Sequence, residues 1–434
     1  MSTKPVVLLL GATGFTGRLI AKYLSTHPEG SAFTLALGAR SKGRLDALAS
    51  DLGLGSAVQL HVVDVTRAEQ IEAAVKGAAV VINTVGPFWT WGTPVVHACV
   101  KHGVHYVDLT GETEWIKRII TTYHYSATKT GAIIVPSCGF DSVPADITTH
   151  VSSKTLRDIT GEPVDIDTSV SAYVVRGGFS GGTVSTLVTA IEEIPANERR
   201  VVRTEFSLSP AVGTPSPRSP LIYRLFLPDT RKTLIGAYFF MQPPNRAVVH
   251  RSWGLLEAEA AGDARAPRYG PVFKYDEFLV TGGAVRSVLL TLAMALGLGA
   301  FLITPIRWLL KKVLPKSGEG PSETVQRNGF MKVTNLTTAV ASASPAAAPL
   351  QVKTVMTGQG DPGYSLTAVI IAEAALSLVL SATDARPAVG RRGGVLTPAT
   401  AMGDVLVERL VKSGRVTFES KVVAARPVEG KKTV

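Results

Sequence analysis

The chain opens with Pro5-Val6-Val7-Leu8-Leu9-Leu10 and runs at once into Gly11-Ala12-Thr13-Gly14-Phe15-Thr16-Gly17. A short, solidly apolar, β-rich run suits a parallel strand covered on both faces. Beyond the glycines, residues 18–25 place Leu19, Ile20 and Leu24 on one side of a helix. Strand, glycine loop and helix in that order commit the start of the chain to a β-α-β unit. Gly11 permits the tight turn, Gly14 lets a pyrophosphate approach the backbone, and Gly17 lets the helix lie close to the sheet. The helix N-terminus presents free N–H groups and a positive dipole end to phosphate. Gly11, Thr13, Gly14, Phe15, Thr16 and Gly17 are therefore candidate dinucleotide contacts, against the plainer alternative of a glycine turn without ligand.

The next strand, Thr34–Ala39, decides which dinucleotide. An NAD-binding unit carries Asp or Glu near this strand's end to accept the ribose 2′-hydroxyl. Here the chain reads Gly38-Ala39-Arg40-Ser41-Lys42, with no carboxylate. Arg40 can pair with a 2′-phosphate, with Ser41 or Lys42 assisting, so the reading is NADP(H). A solvated arginine in a loop is the competing account. Residues 60–65 form a third strand with Asp64 at the adenine edge. Residues 80–85 form a fourth and end in Asn83-Thr84-Val85-Gly86-Pro87, where Val85, Gly86 and Pro87 would wall the nicotinamide. Residues 106–109 and 132–136 supply further strands, and the nucleotide domain is read as 1–150.

Bulk composition narrows the rest. With 434 residues, 45% of them hydrophobic, the chain has material for two or three packed domains. A formal charge of +11 admits nucleic acid, an anionic membrane surface or phosphorylated ligands. The basic residues are scattered, with no dense basic helix, zinc-finger spacing or RNP-like aromatic run, which excludes nucleic acid from the reading. Two cysteines, Cys99 and Cys138, exclude a disulfide scaffold and fit a reducing compartment. Val6–Leu10 is too short for a signal peptide, so the chain is expected to face the cytosol and not to be secreted.

Several constellations compete for a chemical role. Tyr125 and Lys129 have the Tyr-x-x-x-Lys spacing of a general-acid pair, but the supporting upstream serine is missing, and a solvated helix face is the better reading. His97, His102 and His105 are spaced five and three apart across Gly103, unlike a helical metal pair, so no metal is expected. Cys138 and Asp141 follow a strand end, where they would face a cleft. They are weak proton-transfer candidates, with an N-cap role the alternative for Asp141. Arg176 and Ser180, in Arg176-Gly177-Gly178-Phe179-Ser180-Gly181-Gly182-Thr183, are weak candidates for holding a carboxylate or head group.

After residue 150 the pattern changes. Residues 167–176 alternate like a strand and 183–193 read as a helix. Residues 207–220 and 257–270 read as surface loops. Residues 333–341 and 350–357 look like paired strands, followed by an apolar helix at 365–380. This predicts a second α/β domain over 151–394 with a mostly antiparallel sheet. The helix 397–411, within 395–415, should return to complete the first domain. Within the second domain, 284–314 stands out: between Arg286 and Arg307 there are about 20 positions without a charge, and Lys311, Lys312 and Lys316 follow. Insertion into one leaflet or a droplet monolayer is favoured, because a true span would part the motifs on either side. A buried or oligomer-interface helix, as in a homodimer, is the alternative.

Together, the Gly11–Gly17 loop, Gly38-Ala39-Arg40, Asn83-Thr84-Val85-Gly86-Pro87, Tyr106-Val107-Asp108-Leu109-Thr110-Gly111-Glu112 and Cys138-Gly139-Phe140-Asp141-Ser142-Val143-Pro144-Ala145-Asp146 resemble the saccharopine dehydrogenase-like oxidoreductases. That group includes trans-acting enoyl reductases and lipid-droplet-associated members. Gly318-Glu319-Gly320-Pro321-Ser322 and Gly360-Asp361-Pro362-Gly363-Tyr364 fit as well. The resemblance implies a Rossmann domain, NADP(H), a lipid or acyl-linked substrate, and a membrane or lipid-droplet surface as partner, in lipid or glycolipid metabolism. Two other readings stay open: a non-catalytic nucleotide-binding membrane protein, and a saccharopine reductase proper.

Overall fold

The computed structural model describes residues 4–178, 181–313, 320–341 and 349–423. In chain order its strands are β1 (Val6–Leu10), β2 (Thr34–Ala39), β3 (Gln59–Val62), β4 (Val80–Asn83), β5 (His105–Asp108) and β6 (Ile133–Val135). There follow β7 (Ile166–Arg176), β8 (Tyr223–Leu227), β9 (Lys232–Ala237), β10 (Lys274–Val280), β11 (Phe330–Ala339) and β12 (Gln351–Gln359). The last two are β13 (Gly394–Val395) and β14 (Val416–Val423).

Among the described residues these strands make two sheets. The first is parallel throughout, in the order β13-β6-β5-β4-β1-β2-β3. Its first-half order, running outward from β1 in both directions, is that of a Rossmann sheet, with the crevice between β1 and β4. The alternation of β1 explains its apolar run. Val7 and Leu9 pack with Ile20 and Leu24 of the helix Phe15–Ser25, while Leu8 and Leu10 face Val95, Val96 and Trp115 on the other side. Both faces of the strand are dry, so no polar residue is tolerated in it.

The second sheet is mixed, in the order β14-β12-β11-β7-β10-β9-β8. Only β7 and β10 pair in parallel; the other neighbours are antiparallel. Its join to the helix Val143–Thr160 is unusually polar. Ser152 Oγ bonds Asn335 Oδ1 at 2.8 Å and Thr354 Oγ1 at 2.7 Å, and Asn335 Nδ2 donates to Ser169 and Ser171 at 2.8 and 3.0 Å. Every member of this seam is buried and bonded, which fixes the helix's register on the sheet.

The first domain draws on the end of the chain more widely than the sequence suggests. Besides the returning segment 395–415, strand β13 adds to β6, held by Arg251, whose guanidinium donates to the Val395 carbonyl at 2.5 Å. The helix Thr367–Val379, read from the sequence into the second domain, instead covers β4 and β5 and lies along Phe15–Ser25. It is apolar enough to cross a membrane by composition, but it is core. The single final helix expected at 397–411 is two, Pro398–Ala401 and Asp404–Lys412, broken at Gly403 with φ +49°. The expected surface loops are present in part. Leu208 is fully buried, and the helix Gln242–Ala260 runs into the 257–270 stretch, where Tyr269 is buried too.

The apolar segment folds as two helices, Ala284–Leu302 and Thr304–Val313. The first rests on β9 and against the second helix, and its outer face is bare, with Val285, Leu289, Leu296 and Leu302 each more than 60% exposed. The second exposes Trp308 and Leu309, with Lys312 Nζ 3.4 Å over the Trp308 ring. Arg307 anchors the turn between them, donating to the Phe301 carbonyl at 2.7 Å and to Glu192 at 2.9 Å.

Candidate cofactor and active site

The glycine loop closes on the two strands that flank the crevice. Gly11 lies at φ +81°, its amide donates to the Gly38 carbonyl at 2.9 Å, and a Cβ there would sit 2.5 Å from Thr84 Oγ1. Gly17 packs so closely on Gly11 that a Cβ would meet its carbonyl oxygen at 2.1 Å. Gly14 is exposed and caps Phe15–Ser25 without a side chain. The first backbone turn of that helix closes from Arg18 N–H to the Gly14 carbonyl, at 2.9 Å. The amides of Phe15, Thr16 and Gly17 thus precede the helix ladder, and Thr13 and Thr16 are half-buried beside them. A bare, glycine-lined helix end on the crevice fits a pyrophosphate.

Arg40, Ser41 and Lys42 stand exposed at the end of β2. Ser41 caps the next helix, accepting from the Arg44 amide at 3.4 Å, and Lys42 pairs with Asp46 at 2.8 Å. Arg40, by contrast, forms no ion pair within this loop. Asp64 follows β3 on the same edge; Thr66 donates to its Oδ1 from both amide and hydroxyl, at 2.9 and 2.8 Å. Those bonds, with Arg40 and Arg67 nearby, hold its carboxyl below the usual range. Val85 is half-buried, its amide bonded to Asn83 Oδ1 at 3.0 Å. Exposed Gly86 and half-buried Pro87 follow, joined by a cis peptide.

Buried carboxylates lie farther along this edge of the sheet, at and beyond the end of β5. Asp108, at the end of β5, accepts the amides of Thr110 and Ser137 on Oδ1, at 2.9 and 3.0 Å, while its Oδ2 is buried without a partner. Burial pushes its carboxyl up to about 7. Glu112 accepts the amides of Phe88 and Trp89 at 2.9 and 2.6 Å and so caps the helix Phe88–His102. The sequence shows both only as members of a motif. A carboxylate at the end of an apolar strand was the available signal, because burial there demands a structural or chemical reason.

Cys138 and Asp141 diverge. Cys138 is fully buried, donates to the Val135 carbonyl at 3.4 Å, and burial pushes its thiol well up, so it is an inert core residue. Asp141 does not cap the following helix, whose N-cap is Ser142. Its side chain is half-buried and has no hydrogen-bond partner among the described residues, and burial raises its carboxyl to about 7. The Phe140 amide, bonded to Thr367 Oγ1 at 2.9 Å, fixes the loop before it.

Three motif segments that are far apart in sequence meet over the glycine loop. Asp361, fully buried, accepts the Gly178 amide at 2.7 Å and the Tyr364 amide at 3.2 Å. Tyr364 meets Phe15 edge-on at 5.3 Å between ring centroids. Gly320 packs against Phe15 so tightly that a Cβ would lie 2.4 Å from the ring, and Pro321 packs on Gly178. Arg176 is exposed at the end of β7; Ser180, Gly318, Glu319 and Lys316 lie outside the described residues.

The remaining constellations resolve as structure. Tyr125 is 71% exposed with Lys129 above its ring. His102 bonds Glu72 at 3.0 Å, His105 accepts the Ile133 amide at 3.2 Å, and His97 packs on Tyr123. Among the described residues no His, Cys, Asp and Glu group could hold a metal.

Residues 7–135 match the family model described as the saccharopine dehydrogenase NADP binding domain. The trans-acting enoyl reductase of Mycobacterium tuberculosis is 34% identical over 430 residues, covering 94% of this chain and 96% of its own length. The protein of the same name in Mycobacterium ulcerans is 32% identical over 434 residues, covering 96% and 98%. This chain belongs to the trans-acting enoyl reductase family. It is an oxidoreductase, and NADP(H) is the cofactor of its first domain. Saccharopine dehydrogenase (L-Glu forming) of Saccharomyces cerevisiae aligns over 97% of this chain and 100% of its own, at 13% identity and TM-score 0.49.

Proposed function

We propose that the chain reduces a carbon–carbon double bond in a lipid or acyl-linked substrate with NADPH, at the cytosolic face of a membrane or lipid droplet. The observation that carries the reaction is end-to-end similarity to proteins named trans-acting enoyl reductase.

In this reading Gly11, Thr13, Gly14, Phe15, Thr16 and Gly17 hold the pyrophosphate, Arg40 and Ser41 the 2′-phosphate, and Asp64 the adenosine side. Val85, Gly86 and Pro87 wall the nicotinamide. NADPH, when bound, supplies the hydride. Asp141 supplies the proton: a carboxyl near 7 is poised to give a proton at neutral pH and regain it from the solvent that reaches it. Asp141 would give its proton to the carbon next to the acyl carbonyl and be left as carboxylate. Arg176, exposed at the end of β7, is a weaker candidate for holding an anionic group of the substrate.

The exposed apolar pair Ala284–Leu302 and Thr304–Val313 supports the membrane part. Bare leucines on one helix, and Trp308 with Lys312 on the next, suit insertion into one leaflet with the cation at the headgroups. Contacts with β9 and Glu192 tie the helix pair to the second domain, which supports insertion into one leaflet over a span. The test is NADPH consumption by purified protein supplied with a trans-2-enoyl thioester, with the saturated product counted by mass spectrometry. One product per NADPH is expected. NADPH binding without turnover of any enoyl thioester or enoyl ester would replace the reductase with a nucleotide-binding surface protein.

A further inference from the structure

The second domain carries a recess that the proposed reaction leaves unused. It opens to solvent, holds about 330 Å³, and its wall includes Phe206, Tyr238, Gln242, Arg246 and His250. Two of its nitrogens are orphans. His250 is 1% exposed and its Nε2 has no hydrogen-bond partner. Arg246 gives one terminal nitrogen to Asp276 at 2.9 Å and turns the other toward Glu205 at 3.7 Å, but its Nε is buried and unpaired. Buried polar atoms without partners are rare and call for an explanation. The backbone adds a third sign. Phe206, stacked on His250 with centroids 4.2 Å apart, sits at φ +61°, where a bulky side chain is strained. Such strain collects at ligand sites.

The chemistry of the missing partner follows from the charges. Glu205 and Asp276 already match the Arg246 cation, and burial pushes His250 down to about 3, which keeps it neutral. An anion would meet two carboxylates, so the fitting partner is an uncharged acceptor. Phe206, Tyr238 and Ala247 give the recess apolar walls. The Tyr238 amide donates to Thr291 Oγ1 at 3.2 Å, in the middle of Ala284–Leu302, so one wall is bonded to the exposed apolar helix.

We propose that this recess binds the carbonyl of an uncharged acyl ester or thioester, with Arg246 Nε–H donating to its oxygen beside His250 and the acyl chain leaving past Tyr238 toward the apolar helix. The proposal rests on the reductase reading for its choice of acyl ligand, but binding here does not require turnover. The test titrates the full chain, without NADPH, with monodecanoylglycerol, decanoate and decanol in a calorimeter. Monodecanoylglycerol should bind one to one, and decanoate and decanol at least about tenfold more weakly. Arg246→Lys keeps the charge facing Glu205 and Asp276 but loses the Nε–H, and His250→Phe keeps the stack on Phe206. Each should weaken monodecanoylglycerol at least about tenfold with the melting temperature held. Unchanged binding in both variants, tighter binding of decanoate, or loss of binding in Leu296→Glu alone would overturn the proposal. Binding without NADPH turnover would sink the reductase reading and leave this one standing. Turnover without binding would do the reverse.

Discussion

Glu373 accepts the Tyr23 hydroxyl at 2.5 Å across 350 residues of sequence. The same carboxylate, 2% exposed, bonds His27 Nε2 at 2.9 Å and Arg409 Nε at 2.8 Å. It therefore rivets the first helix of the nucleotide domain to the two helices that return from the end of the chain. Glu373→Ala would leave the Tyr23 hydroxyl and His27 without this acceptor and Arg409 with only its bond to Glu29 at 2.7 Å, so it should cost about 1–3 kcal/mol of stability. Denaturant unfolding measures this directly, and an unchanged midpoint would show that the cluster is idle.

Arg40→Ala should separate the two dinucleotides. A charge-assisted contact to the 2′-phosphate is worth about 1.5–3 kcal/mol, so NADPH affinity should fall roughly ten- to hundredfold while NADH affinity stays put. Fluorescence titration with both nucleotides reads the difference. Equal loss for both would assign Arg40 to folding of the loop.

Asp141 gives the reaction a pH limb. Its carboxyl sits near 7 and acts while protonated, so turnover should fall as pH rises through about 7. Asp141→Asn should lower kcat about 10²- to 10⁴-fold and flatten that limb, with NADPH binding intact. The stability sign is separate. A carboxyl raised on folding favours the folded state below its unfolded value, near 4, and that advantage is lost as pH rises through the folded one. The wild-type melting temperature should thus fall between about pH 4 and 7 by more than the variant's. A parallel pH profile in both proteins would remove Asp141 from the chemistry.

The bare helix pair makes a prediction about surfaces. Sedimented with vesicles containing anionic lipid, the protein should bind, shift Trp308 fluorescence to the blue and release partly in high salt. Leu289→Glu with Leu296→Glu should abolish binding and leave the fold intact, since both side chains face solvent. A concentration-dependent dimer that the same changes dissolve, with no vesicle binding, would assign the face to a second copy of the chain.

The nucleotide half of this fold was legible because its signals are local. Val6–Leu10 and Thr34–Ala39 are read to the residue, and four more strands fall within a few residues of where the apolar runs lie. The returning pieces were harder to read. Two residues of β13 carry no periodicity, and Ser365 to Leu380 is apolar on every side apart from Glu373 because it is buried on every side, which says nothing about the sheet it covers. The helix Gln242–Ala260 has no counterpart in the sequence reading; Pro243 and Pro244 fall in its first turn, where proline costs no hydrogen bond. The β8–β9 hairpin lies at the edge with Phe226 exposed, so its alternation is blurred. At the site, contacts within one loop could be read from sequence. The meeting of Phe15, Gly178, Gly320 and Tyr364 is set by tertiary packing alone.

Strand β13 pairs with β6 from the far end of the chain, and this sets a clock for synthesis. A ribosome adding about 5–20 residues per second needs roughly 20–80 s between releasing β1 and releasing β13. During that interval the phosphate loop exists while one edge of its sheet and one of its covering helices do not. The nascent domain must wait with an open β6 edge and a bare face over β4 and β5, and both invite wrong partners. A fragment ending near residue 150 would stay in that waiting state, so a stable nucleotide domain has to be made from both ends of the gene.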